Sequence, residues 1–268
     1  MCLILIAHHA HPRYRVVVAS NRDEFFRRPT AGADYWPQAP HVLGGRDIEK
    51  GGTWMGVDRE ARWAAITNYR DGERPDPAAR SRGELVANYL RARSIAPQTY
   101  VSSAWDAAAF YPGFNLLVGD LHELHYVSNR DEAPIMLAAG VYGLSNGLLD
   151  APWPKVERGK LALREGLARA DAPDRLIDTL LYGLSDRSLA ADHMLPDTGI
   201  DRRWEKQLSA AFIQAPGYGT RASTVLLVEQ DGEVHFRERS FAESGEVIAE
   251  RRFRFALAQS RASTPGRL

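Results

Sequence analysis

Apolar residues fall along this chain in short blocks, and the first two set the pattern. Leu3–Ile6 is a continuous apolar run, and Val16–Ala19 is a second one rich in β-branched residues. Blocks of this length suit strands buried on both faces, although their period alone does not separate them from buried helix. His8–Arg13 lies between them with a proline and three histidines and reads as a turn. A turn centred near residues 10–11 pairs the two strands antiparallel and sets Cys2 opposite Ala19 or Ser20. That brings Asn21-Arg22-Asp23-Glu24 within side-chain reach of Cys2.

Residues 29–50, rich in proline, glycine and polar residues, predict irregular loop. Gly51–Val57 enters a second hairpin that turns at Asp58–Ala61 and returns through Arg62–Thr67, leaving Asn68 at the strand end. Residues 69–81 form a polar stretch long enough for a lid or a mobile loop. Apolar Leu85, Val86, Tyr89 and Leu90 predict a helix over Gly83–Arg93, followed by a less regular one over Tyr100–Phe110. Phe114–Val118 and Leu124–Ser128 form a hairpin, and Val141–Ser145 is a short strand ending in Asn146-Gly147. Helices are predicted over Pro154–Arg169, with Val156, Leu161, Leu163 and Leu167 apolar, and over Asp174–Tyr182. Residues 185–202 read as irregular, and a short helix is predicted over Arg203–Phe212.

Ser223–Val228 and Val234–Arg239 make a last hairpin, and Val247, Ala249, Arg251, Phe253, Phe255 and Leu257 then share one face. Strand hairpins on both sides of helix pairs predict one α+β domain over residues 1–257, with sheet packed on sheet and helices outside. Residues 258–268 predict a disordered tail.

Composition narrows the class. A chain of 268 residues with 44% hydrophobic content can bury a sizeable core. Its formal net charge of zero leaves no electrostatic footprint for nucleic acid. No stretch approaches the ~20 apolar residues of a membrane span, and Cys2–Ala7 is too short for a signal-peptide core. A lone cysteine leaves no internal disulfide or cysteine-rich metal site, so the expected setting is cytoplasmic.

That cysteine is also the leading candidate for chemistry. Removal of Met1, a step favoured by a small second residue, would leave a thiol and an α-amine on one carbon. With ordinary pKa values of ~8.5 and ~8, the amine can take the thiol proton and the thiolate can attack a carbonyl. The competing reading is a small buried hydrophobe in the first strand. Asp23 could hold and aim the amine, and Arg22 could balance Asp23 or grip an anionic substrate. Asn21 could hold the adjoining turn. Asn68 and Asn146 could donate to an oxyanion, or be ordinary turn asparagines. Arg221 opens a strand after a glycine-rich bend and could reach into a cleft. Tyr35, Trp36, Trp54, Trp63, Tyr69, Trp153 and Tyr218 could line a cleft for a flat or acyl ligand, or pack the core.

The order of motifs resembles a known family. Met-Cys, Asn-Arg-Asp-Glu-Phe (21–25), Gly-Gly-Thr-Trp-x-Gly (51–56), Thr-Asn-Tyr (67–69), Gly-Phe-Asn-Leu (113–116), Tyr-Gly-Leu-Ser-Asn (142–146), Pro-Trp (152–153) and Pro-Gly-Tyr-Gly-Thr-Arg (216–221) follow one another as in the NRDE-domain, or transport and Golgi organisation, family. The resemblance covers about residues 1–257. It implies an N-terminal-nucleophile hydrolase-like fold, a four-layer αββα sandwich of two mainly antiparallel sheets flanked by helices. More distantly, the chain is similar to cysteine amidases of the choloylglycine hydrolase and penicillin V acylase type. That similarity implies Cys2 as nucleophile, with Asp23, Asn68, Asn146 and Arg221 as its catalytic company. Substrate contact would then fall to Asn21, Arg22, Trp54 and Tyr69.

The implied reaction is hydrolysis of a non-peptide C–N amide bond, with no cofactor required and no metal. One departure matters: those amidases carry an arginine three residues before the aspartate, where this chain has Ser20. The family's links to haem and lipid handling imply a second role, a carrier of haem or acyl-CoA using the same cleft. His8, His9 and His11 invite that thought, although a polar turn accounts for them, and Cys2 and His8 are too far apart along one strand to share an iron.

Overall fold

A computed structural model describes residues 2–73 and 76–257, and in it both opening apolar blocks are strands with no exposed face. β1 (Cys2–His8) is buried throughout, and β2 (Tyr14–Phe25) is buried over most of its length. They sit at the centre of a seven-stranded sheet with β10 (Gly140–Leu144) beside β1, and β12 (Tyr218–Glu229), β13 (Glu233–Phe241) and β14 (Val247–Ala256) beyond β2. The two-residue β11 (Gln214–Ala215) pairs with β12. A second seven-stranded sheet runs in chain order: β3 (Thr30–Trp36), β4 (Ala39–Asp47), β5 (Met55–Asp58), β6 (Trp63–Asn68), β7 (Phe114–Gly119), β8 (Leu124–Ser128) and β9 (Ile135–Met136).

Ile4, Ile6, Val16 and Val18 from the first sheet meet Leu43, Val57, Trp63 and Leu117 from the second in one core. Alternate residues of the same strands face outward onto helices. Leu3, Leu5 and Val17 pack on α3 (Pro154–Arg169) and α4 (Pro173–Leu184). Ile66, Leu116 and Val118 pack on α1 (Gly83–Arg91) and α2 (Pro97–Asp106). This is the αββα sandwich that the resemblance implied, and it explains why the opening blocks are apolar at every position.

Four details depart from the sequence reading. Residues 30–47 are β3 and β4 rather than loop. Their glycines mark close approach instead of a turn, since a Cβ at Gly44 would lie 2.7 Å from the Met55 carbonyl. The first hairpin turns about residue 12, so Cys2 pairs with Arg22 instead of Ala19 or Ser20. On α3, Leu161 is exposed whereas Lys155 and Lys160 are buried, because the inward face begins one residue earlier than the leucines suggest. The short helix α5 (Arg202–Gln207) ends well before Phe212 and is capped at its start by the Asp201 carboxylate. The expected tail, 258–268, lies outside the described residues.

Candidate functional site

Directly opposed residues of an antiparallel pair point to the same face, and neighbours along a strand to opposite faces. The pairing of Cys2 with Arg22 therefore turns both side chains toward the second sheet, and turns Asn21 and Asp23 toward the helices. At that end of the sandwich a cleft of about 390 Å³ opens, lined among others by Cys2, Arg22, Trp54, Ile66, Asn68 and Arg82. Cys2 is 9% exposed. Burial pushes its thiol pKa up, the Asp23 carboxylate adds to that, and a backbone hydrogen bond at Asp23 and the Arg22 charge oppose it. Arg22 lies with its guanidinium carbon 4.3 Å from the centre of the Trp54 ring and donates to Thr30 Oγ1 at 3.1 Å. It makes no ion pair with Asp23, which faces the other way.

Behind the cleft is a buried polar cluster. Asp23 is 1% exposed and accepts from Thr220 Oγ1 at 2.7 Å, while the Tyr218 hydroxyl donates to its backbone carbonyl at 3.1 Å. Facing it from the first turn of α3 is Lys155, also 1% exposed, whose Nζ has no hydrogen-bond partner among the described residues. Burial raises the Asp23 pKa and lowers that of Lys155 to about 8; their mutual attraction opposes both shifts. Arg70 donates to Glu205 Oε2 at 2.5 Å, with both side chains buried, and lies over the ring of Trp153.

The lysine has a measurable consequence. Its folded pKa is lowered, so between about 8 and its ordinary 10.5 the unfolded chain holds a proton that the folded chain has lost. Stability therefore rises with pH across that window, by about 2–3 kcal/mol from this group. Urea unfolding of the wild-type chain and Lys155→Met at pH ~7.5 and ~10 checks it. Because buried tyrosines with raised pKa values act oppositely in both chains, the expected result is a gain of the wild type relative to Lys155→Met between the two pH values. An equal change in both would contradict it.

The expected site residues divide into those that reach the cleft and those that hold it. Asp23, whose side chain is turned to the helical layer, adjoins the cleft from behind, and Cys2, Arg22, Trp54 and Asn68 line it. Asn146 does not: it is fully buried, donates to the Asn68 carbonyl at 2.9 Å and accepts from Arg70, so it fixes the strand end that carries Asn68. Beside it the Ser145 hydroxyl donates to the Cys2 carbonyl at 2.9 Å. Asn21 is turned away from the cleft and fastens β2 to the helical layer through the Leu184 and Ala211 carbonyls, at 2.8 and 2.7 Å.

Tyr69 lines a neighbouring cleft of about 720 Å³, which shares Asn68, Arg80 and Arg82 with the first. Arg221 is the extra residue of a β-bulge between Thr220 and Ala222. Its guanidinium donates to the carbonyls of Phe25, Phe26 and Arg28, so it shapes the chain leaving β2 from outside the cleft. Ser20 donates to Met55 Sδ within the intersheet core.

Lys155, Thr220, Arg70, Glu205 and Arg82 had no role in the sequence reading. Thr220 lies within the quoted motif at 216–221 and Lys155 two residues after the one at 152–153, which was the available signal. Arg70 and Glu205 lie far apart in sequence, and only the folded chain joins them. His8 sits at the far end of β1 from Cys2, its pKa lowered to about 4 by burial and by His9 beside it. Among the described residues, no three or more His, Cys, Asp or Glu side chains gather as for a metal ion. No helix of the described residues is long and apolar enough to cross a membrane.

The model of the family described as Transport and Golgi organisation 2 matches residues 1–243. The bovine Transport and Golgi organization protein 2 homolog is 38% identical over 262 residues, covering 90% of this chain and 93% of its own. The human homolog is 37% identical over 260 residues with the same coverage. An uncharacterized yeast protein is 27% identical over 319 residues, covering 96% of this chain and all of its own (100%). Among solved structures, a Caenorhabditis elegans ortholog of N-acylethanolamine-hydrolyzing acid amidase aligns with a TM-score of 0.47 and 10% identity, over 84% of this chain and 92% of its own. A mutant conjugated bile acid hydrolase from Clostridium perfringens aligns with a TM-score of 0.47 and 10% identity, over 94% of this chain and 92% of its own.

Proposed function

The chain belongs to the Transport and Golgi organisation 2 family, and we propose that within it this protein is a cysteine amidohydrolase whose nucleophile is Cys2. One observation carries the reading. The single thiol of the chain, one residue behind Met1, opens onto a polar cleft with Asn68 also on its wall.

Once Met1 is removed, the α-amine of Cys2 takes the thiol proton and the sulfur bonds to the carbonyl carbon of the substrate amide. The side-chain amide of Asn68 donates to the resulting oxyanion. Collapse breaks the C–N bond, and the amine leaves with the proton that the α-amine had held. Water then attacks the thioester, its proton returns by the same amine to the sulfur, and the carboxylic acid departs. Asp23, held by Thr220 behind the terminus, orients the amine, and Asn146 keeps Asn68 in place.

The test is release of aminomethylcoumarin from a panel of its N-acyl amides. Turnover is expected in the wild-type chain and falls by at least ~10³-fold in Cys2→Ala, as loss of a covalent nucleophile requires. Equal release by both chains would remove Cys2 from the chemistry.

The same thiol and cleft support a second reading, a carrier of haem or acyl-CoA as cargo. Cys2 would be the iron ligand, without His8, which stands six strand steps or ~20 Å away. A Soret shift on haemin titration that disappears in Cys2→Ala is the expected sign of it.

A further inference from the structure

Positive charge is settled unevenly around the Cys2 cleft. Arg28 donates to Asp47 Oδ2 through Nε and Nη2 at 3.0 and 2.6 Å. Arg80 lies 2.5 Å from Glu84 Oε1, and Arg22 is stacked on Trp54. Arg82 differs. Its Nη1 donates to the Gly113 carbonyl at 3.0 Å, and no carboxylate among the described residues stands within ion-pair distance of it. A guanidinium offers five N–H donors in a fork, and one neutral carbonyl engages only part of that fork. Arg82 is also half-buried on the wall shared by the two clefts. Burial works against its charge, while Glu24 and a thiolate at Cys2 are near enough to favour it. A half-buried cation held by no ion pair, on a wall that also carries Trp54, Ile66 and Pro112, is a site where an anion gains, although Glu24, Asp47 and Asp76 stand on the same lining.

We propose that Arg82 is the anion-recognition residue of the cleft. It holds a carboxylate or phosphate group of the ligand while the apolar part lies against Trp54, Ile66 and Pro112. The ligand class is therefore an anionic amphiphile, and neutral analogues bind less well. The proposal rests on the reading that the Cys2 cleft is the ligand site; it does not require that the ligand be hydrolysed.

Cys2 is the only thiol, so alkylation reports on this cleft alone. Iodoacetate and iodoacetamide differ in charge, and N-acetylcysteine gives their intrinsic rate ratio. At low salt the protein's iodoacetate-to-iodoacetamide ratio is expected to exceed the intrinsic one by about tenfold, the gain of one charge-assisted contact. In Arg82→Gln the ratio should fall to the intrinsic value while iodoacetamide still alkylates Cys2, which shows the thiol still accessible; the ratio cancels any change in thiolate fraction. A wild-type ratio equal to that of N-acetylcysteine, or one unchanged in Arg82→Gln, overturns the proposal.

Should both reagents react too slowly to compare, thermal stabilisation by hexanoate, hexyl phosphate and hexanol decides. A shift with either anion and not with hexanol, lost in Arg82→Gln, supports the proposal, and the effective anion identifies the headgroup. Equal shifts from all three, or none, overturn it. Neither readout needs turnover. A chain that hydrolyses nothing yet keeps this preference would refute the amidase reading and leave anion recognition standing.

Discussion

Asp23→Ala is expected to lower the folding stability of the chain by about 1–3 kcal/mol, the cost of leaving buried polar groups without their partner. The substitution strips the Thr220 hydroxyl of its acceptor at 2.7 Å and removes the carboxylate that most favours the charge of Lys155, 1% exposed in the first turn of α3, leaving Glu205 as the acting carboxylate. Much of the cost lies in the lysine. Adding Lys155→Met to Asp23→Ala should therefore recover most of the loss, because an apolar side chain of similar length needs no counter-ion there. In a double-mutant cycle by urea unfolding, the two substitutions should couple by roughly 1.5–3 kcal/mol. Additive losses would mean that the two side chains do not sense one another. The double variant has a second use: folded but without Asp23, it separates the part this carboxylate plays in stability from its part in orienting the amine.

The second large effect concerns the position of the amine. Inserting one alanine between Met1 and Cys2 leaves the thiol in the chain but moves the free α-amine one residue away. Turnover is expected to fall by about 10²–10⁴-fold, the usual range for loss of a positioned general base. Iodoacetamide should still label Cys2, which separates loss of the base from loss of the thiol. Undiminished turnover in the extended chain would mean that another group takes the thiol proton. Lys155 and Asp23 are the nearby titratable candidates, since both sense the Cys2 end of the sheet.

The opening strands were legible because a run buried on both faces leaves no polar position, and α3 began at Pro154 as the pattern predicted. β3 and β4 were not, because Gly44 and Gly45 carry the composition of a loop while admitting the Met55 backbone and the Trp54 ring. In the site, Cys2, Asp23 and Asn68 could be found from strand ends. The hairpin register was two residues off relative to Ser20 and three relative to Ala19, because the turn sits about residue 12 rather than 10–11.

What escaped was contributed by helix beginnings. Lys155 sits where an amphipathic reading assigns a lysine to solvent, and Arg82 just before α1 gave no periodic signal at all. Asn146 and Arg221 were found as residues but not as roles. Their hydrogen bonds to backbone carbonyls, which decide what they do, exist only in the folded chain.

This family member is expected to use an amino-terminal thiol. Intact-mass spectrometry of the native protein, before and after brief exposure to iodoacetamide at neutral pH, is the test. A chain lacking Met1 that gains a single carbamidomethyl group is expected, with no gain in Cys2→Ala. A native chain that retains Met1 would contradict it, since the thiol would then have no α-amine of its own.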